Sequence, residues 1–147
     1  RVSVSRNSLR VGNIIRVEDF PSKDDSETKT RRVCVVYLGA GKDAETILAA
    51  GISTVHGSAE VIDGVLLSYK PGGDPATGLT QKSAAYYDWV KPVPITKVIQ
   101  ICGKCSPLER ENVLKGVQRT VESLMEARGS IAQSVQEPIN QSSNRCD

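Results

Sequence analysis

Arg31-Arg32-Val33-Cys34-Val35-Val36-Tyr37-Leu38 is the stretch whose reading decides the fold. Its centre is apolar at successive positions, not at alternate ones, and Val33, Val35 and Val36 are β-branched. A short continuous run of this kind, opened by charged residues, reads as a strand buried on both faces. Working outward, Val11-Gly12-Asn13-Ile14-Ile15-Arg16-Val17 reads as an earlier strand. Residues 21–30, with Lys23, Asp24, Asp25, Glu27 and Lys29 among Ser and Thr, read as an exposed loop between the two. Gly39-Ala40-Gly41-Lys42 turns the chain into residues 46–54. There a strand is preferred to a helix, because Gly51 would weaken a helix by about 1 kcal/mol relative to Ala.

Further strands are expected at Val61-Ile62 and Val65-Leu66-Leu67-Ser68-Tyr69, then, after the breaker-rich Pro71-Gly72-Gly73-Asp74-Pro75, at residues 83–90 and 95–101. Short strands at close spacing with Gly, Pro and Asp turns imply a sandwich or small barrel. The chain closes on a different pattern. Ser106 can cap a helix, Pro107 suits its first position, and Glu109 completes a capping box. Val113, Leu114, Val117, Val121, Leu124 and Met125 then form one apolar stripe at helical spacing, and Gly129 is a natural stop. The expected organisation is one mainly β (α+β) domain over residues 1–129 with a C-terminal amphipathic helix, and a polar, flexible tail over 130–147.

The 147 residues suffice for one core, and aromatics are only 4%, so that core is aliphatic. A formal charge of +2 is far from that of a dedicated DNA-binding domain, so a nucleic acid would have to meet a local patch. No run is long and apolar enough to cross a bilayer, and Arg1-Val2-Ser3-Val4-Ser5-Arg6 is too polar for a signal peptide. Four cysteines are too few for a disulfide-dense secreted scaffold, so a reducing, cytoplasmic setting is expected.

Cys102-Gly103-Lys104-Cys105 lacks the spaced partners of a zinc site and the βαβ setting of a redox pair, and reads as packing at a strand-to-helix step. No metal or cofactor is expected. The glycine-rich pieces do not have the frame of a phosphate-binding loop. His56 is the only histidine, which excludes chemistry by two imidazoles. A more productive set is Arg31 and Arg32 on one strand, Ser53 and Thr54 at the end of another, and Asp88 beside Trp89 on a third. Brought together, they would offer cations for phosphate, hydroxyl donors and a carboxylate base. Attack of a ribose 2′-OH on its own phosphate needs those parts. Ordinary polar residues at strand ends would look the same.

These residues fall in a familiar order. Gly12-Asn13-Ile14-Ile15-Arg16-Val17 leads to Phe20-Pro21, and a polar loop runs into Arg31-Arg32-Val33-Cys34-Val35-Val36. Ile52-Ser53-Thr54, Thr77-Gly78-Leu79, Ser83, Asp88-Trp89-Val90 and a last strand into Gly103 and a helix follow. Over roughly Val11 to Leu124 the chain resembles the MazF/PemK family of toxin–antitoxin ribonucleases. The resemblance implies a small SH3-like β-barrel, a homodimer, neutralisation by a cognate antitoxin, and metal-independent cleavage of single-stranded RNA. It matches Arg31 to the arginine on the scissile phosphate, Ser53 and Thr54 to the hydroxyl-bearing strand end, and Asp88 to the acid–base carboxylate of some members. Arg32, Lys29, Tyr86 and Trp89 are the expected substrate-binding residues, with the loop from Lys23 to Thr30 as a gate and Trp89 as either a base-stacking ring or, equally, a core or dimer-contact residue. Those members carry an arginine two residues before the acid, where this chain has Tyr86. A phenol brings no positive charge. The alternative is a non-catalytic barrel that binds RNA or a protein partner in the same groove.

Overall fold

The valine-rich run is buried from end to end: Val33, Cys34 and Val35 are at most 1% exposed and Val36 is 7%. Its alternate residues enter two different apolar clusters, Val33 and Val35 in one and Cys34 and Val36 in the other, so both faces of the strand are covered. The structure, a computed structural model, describes residues 4–143, with the backbone alone for Asp43 and residues 129–143. Residues 1–3 and 144–147 lie outside it, and with them the start of the N-terminal stretch and the end of the expected tail.

Six strands, β1 (Asn13–Pro21), β2 (Thr28–Leu38), β3 (Thr46–Thr54), β4 (Gly64–Leu67), β5 (Ser83–Pro94) and β6 (Val98–Lys104), form one antiparallel sheet in the order β4-β5-β3-β2-β1-β6. The helix α1 (Pro107–Ser143) follows. The protein is thus mainly β with one helix, and residues 46–54 are the strand that Gly51 argued for. The loop after β1 is shorter than expected, because β1 continues to Pro21 and β2 already starts at Thr28. Val61-Ile62 is not a strand, and Ile62 is 67% exposed.

The sheet does not close into a barrel. Closure would need a ladder between its outer strands, β4 and β6. The chain instead covers β6 with the segment before β5: Lys104 N donates to Ala76 O at 2.8 Å. A Cβ at Gly103 would stand 2.5 Å from Thr77 O, so the two backbones are held in close approach.

The described residues up to Val117 make one compact unit and those from Gln118 onward a second. Within the first, the opening turns of α1 bury Val113 and half-bury Leu114 and Val117 against the cluster of Ile14, Cys34 and Ile52. Gly116 lets the helix settle on Tyr87, since a Cβ there would be 2.2 Å from the ring. Cys105, on the step into α1, places its Sγ 3.6 Å from that of Cys34, and both thiols are buried. The bond to Cys105, together with burial, pushes the Cys34 thiol well above its ordinary range, so it remains a protonated packing group. Cys102 is half-buried at the rim of the same cluster.

In the second unit Val121, Leu124 and Met125 are 48%, 62% and 65% exposed, so the buried stripe ends at Val117 and not at Met125. Gly129 does not stop the helix, which runs on to Ser143. A mid-helix glycine costs only about 1 kcal/mol relative to Ala, too little to end a helix by itself. No helix among the described residues is long and apolar enough to cross a membrane.

The capping box forms as read and does more than cap. Glu109 Oε1 accepts from Ser106 N at 2.8 Å, and Ser106 Oγ accepts from Glu109 N at 3.1 Å. Glu109 Oε2 also accepts from Ser68 N at 2.7 Å and from Ser68 Oγ at 3.0 Å, tying the chain just after β4 to the helix start. Glu109→Ala is expected to lower unfolding stability by about 2 kcal/mol in urea titration, the sum of a lost cap and lost charged hydrogen bonds. A change below about 0.3 kcal/mol would show that the tie carries no load.

Candidate functional site

The site grows from an irregularity in β5. Ala50 of β3 pairs with Val90 and the next residue, Gly51, pairs with Tyr86, so Tyr87, Asp88 and Trp89 bulge from the β3 ladder. Bulges redirect side chains, and here three successive residues go three ways. Tyr87 lies under Gly116 of the helix. Trp89 lies across Gly51, where a Cβ would come within 2.1 Å of its ring, and packs on Phe20 with centroids 5.5 Å apart. Asp88 faces a cavity of about 370 Å³ whose other walls include Lys23, Arg31, Ser53 and Tyr86.

A second cavity of about 360 Å³ adjoins it, lined by Arg31, Arg32, Ser53, Thr54, Thr80 and Gln81 above Ile52 and Leu79. Arg31 and Ser53 line both cavities, so the two make one groove with those residues as the shared wall. The last β2–β3 pair is Val33 with Gly51. Two residues further along each strand stand Arg31 and Ser53. The guanidinium Cζ of Arg31 sits 5.1 Å from the centroid of the Trp89 ring, a cation–π stack that holds the side chain over the groove. Trp89 is itself fixed by donating from Nε1 to Pro21 O at 3.0 Å.

Two polar atoms in this wall are buried without a hydrogen-bond partner among the described residues: Nε of Arg31 and Oδ1 of Asp88. Native proteins leave few such groups, and both of these belong to residues that line the groove. The other carboxylate oxygen of Asp88, Oδ2, pairs with Lys23 Nζ.

The fold thus brings Arg31, Arg32, Ser53, Thr54, Tyr86, Asp88 and Trp89 to one groove. One expectation changes. Lys29 lines neither cavity: it pairs with Phe20 of β1, and its ammonium lies 3.8 Å from Glu27. Trp89 also lines the Asp88 cavity, but it is only 8% exposed with Gly51 and Arg31 against its ring, so of its two expected roles its burial fits the core one. The reading missed Lys23 as a site residue, and also Thr80 and Gln81, which precede β5 and carried no signal beyond polarity.

Nor is the loop before β2 a free gate. Ser22 N donates to Glu27 O at 2.8 Å and Asp25 N to Ser22 O at 2.9 Å, and Asp25 adopts a positive φ of 61°. Lys91 Nζ donates to Lys23 O and to Asp25 Oδ1, both at 3.0 Å, fastening the turn to β5. Asp24 gathers the centre of the turn, and its bonds to Ser26 and Ser22 hold its carboxyl down at about 2. A depressed folded-state value stabilises above the ordinary carboxylate value of 3.8, and that stability is lost as pH falls through about 2. The turn should therefore hold its shape across the neutral and mildly acidic range. In a carboxyl carbon NMR titration, Asp24 is expected to titrate near 2, whereas a midpoint at 3.8 would show that the turn is not formed.

Compared with known proteins, the chain matches no protein-family model and no curated sequence.

Proposed function

We propose that the protein is a metal-independent endoribonuclease of the MazF/PemK toxin type, cleaving single-stranded RNA by attack of a 2′-OH on the adjacent phosphate. The observation that carries this reading is the shared wall: Arg31 and Ser53 stand between a cavity holding Asp88 and one holding Arg32 and Thr54. In the reaction the O2′–P bond forms and the P–O5′ bond breaks, leaving a 2′,3′-cyclic phosphate and a 5′-hydroxyl. Asp88 takes the 2′-OH proton, and solvent water protonates the departing O5′. Arg31 faces the phosphoryl oxygens as their charge grows, with the Ser53 and Thr54 hydroxyls as additional donors.

A basic row leads away from the groove. Arg16 of β1 lies directly opposite Arg32 of β2, both are exposed, and neither makes an ion pair with a described residue. Like charges directly across a ladder repel, and a bound polyanion relieves that repulsion. On this reading the sheet is an SH3-like barrel left open at its edges, the protein works as a homodimer, and a cognate antitoxin closes the groove in the cytoplasm. A second reading is favoured by Tyr86, which lines the Asp88 cavity without bringing a charge: the groove binds RNA or a protein partner and does not cut.

Purified protein is expected to cut single-stranded RNA in the presence of EDTA, leaving 2′,3′-cyclic ends, and Arg31→Ala should slow this by about 1,000-fold with the fold intact. Full-rate cleavage by that variant would falsify the assignment, and binding without cyclic ends would establish the second reading. For a 2′-O-methyl RNA that cannot be cut, Arg16→Ala should reduce the slope of log K against log salt by about 0.7, one phosphate contact on a single strand. An unchanged slope would remove Arg16 from the RNA path.

A further inference from the structure

The cavity around Asp88 contains two cations of opposite mechanical character. Arg31 is pressed against the Trp89 ring. Lys23 has a fixed backbone, held by Lys91 and by the turn of residues 22–27, but a side chain that is 63% exposed. Its ammonium closes on Asp88 Oδ2, its one hydrogen bond and ion pair among the described residues, while Oδ1 of the same carboxylate stays without a hydrogen-bond partner. Tyr86, which also lines this cavity, brings no cation to it.

We propose that Lys23 is a further catalytic residue, a mobile cation that leaves Asp88 and binds a non-bridging oxygen of the scissile phosphate during cleavage. This rests on the reading of the groove as a ribonuclease site. Before reaction Asp88 is a carboxylate, the phosphodiester carries one negative charge, and Lys23 sits on the carboxylate. As O2′ attacks phosphorus, its proton passes to Asp88, which becomes neutral and loses its hold on the ammonium. The electron pair of the former O2′–H bond forms the O2′–P bond, and the phosphoryl oxygens gain negative charge. The attraction on Lys23 therefore moves from the carboxyl to the phosphoryl group as the barrier is climbed. When the P–O5′ bond breaks, its electron pair leaves with O5′, which takes a proton from water. An interaction made only as charge develops raises kcat and leaves substrate affinity almost unaltered. A four-carbon stem on an anchored turn suits that shift, and the anchored turn keeps the ammonium within reach of both positions.

The test measures kcat and KM on a single-stranded RNA oligonucleotide in EDTA for the wild type, Lys23→Gln, Lys23→Arg and, as a control far from the groove, Lys42→Gln. Lys23→Gln is expected to lower kcat by about 100-fold with KM changed less than about 3-fold, and Lys23→Arg to recover kcat to within about 10-fold of the wild type. Lys42→Gln should match the wild type, and the melting temperature of every variant should stay the same because both lysines are exposed. If the wild type cuts and Lys23→Gln keeps its kcat, or raises it, Lys23 is a spectator or an inhibitory clamp; the assignment is overturned while the ribonuclease reading stands. If the wild type yields no cyclic ends, the ribonuclease reading falls, and the role of Lys23 with it.

Discussion

The indole of Trp89 lying on the bare Cα of Gly51 is the contact from which the rest of the groove follows. With any side chain at position 51 the ring would be lifted off β3, because a Cβ there would come within 2.1 Å of it. Resting where it does, the ring draws β5 out of register, reaches Phe20 and Pro21 of β1, and offers a face to Arg31 of β2. One aromatic side chain thereby joins four strands. It also sets the site indirectly, since the bulge that buries Trp89 is what turns its neighbour Asp88 toward Lys23 and the groove.

The same bulge links the site to the helix. Tyr87, on the other side of Asp88, is clamped beneath Gly116, and the helix start is clamped in turn by the Ser106–Glu109 box and by Ser68. Asp88 is thus held between two ring contacts, each made against a bare glycine where a Cβ would stand 2.1 Å or 2.2 Å from the ring. Interiors packed at that density transmit displacement and do not absorb it. The backbone of the candidate base is rigid for this reason, and the freedom that remains at the site belongs to side chains at its rim, Lys23 above all.

How much of this was legible in the sequence follows from how local each feature is. The β2 valines, the β3 run and the capping box are decided by neighbours in sequence, and each forms where it was read. Arg31, Ser53, Thr54 and Asp88 could be nominated because strand ends carry chemistry to the rim of a sheet. The bulge could not be read, because nothing in Tyr86-Tyr87-Asp88-Trp89 says which residue leaves the ladder. That choice is made by Gly51 on a strand 38 residues away, the separation of position 51 from position 89. Whether Trp89 stacks on a base or packs in the core stays open in the sequence on the same account. Lys23 was hidden because its turn is polar throughout, and only the fold shows that its acids bond within the turn and to Lys91 while its lysine reaches across to Asp88. Gly129 misled in the opposite direction: as a local signal it was real but too weak to end the helix.

The formal charge of +2 conceals a division across the groove. At the Asp88 end the charges are matched, Lys23 with Asp88 and Lys91 with Asp25. At the other end Arg32 lines its cavity and Arg16 stands beside it, with no carboxylate in an ion pair with either among the described residues. A polyanion entering such a groove is held by the unmatched end and meets, at the matched end, a carboxylate that can accept a proton. Under the proposed reading this polarity orients the strand. The nucleotide that supplies the attacking 2′-OH must lie on the Asp88 side of the wall formed by Arg31 and Ser53. The departing nucleotide, whose phosphates run on down the chain, must lie toward Arg32 and Arg16, where phosphate binding costs the least desolvation and relieves the most repulsion.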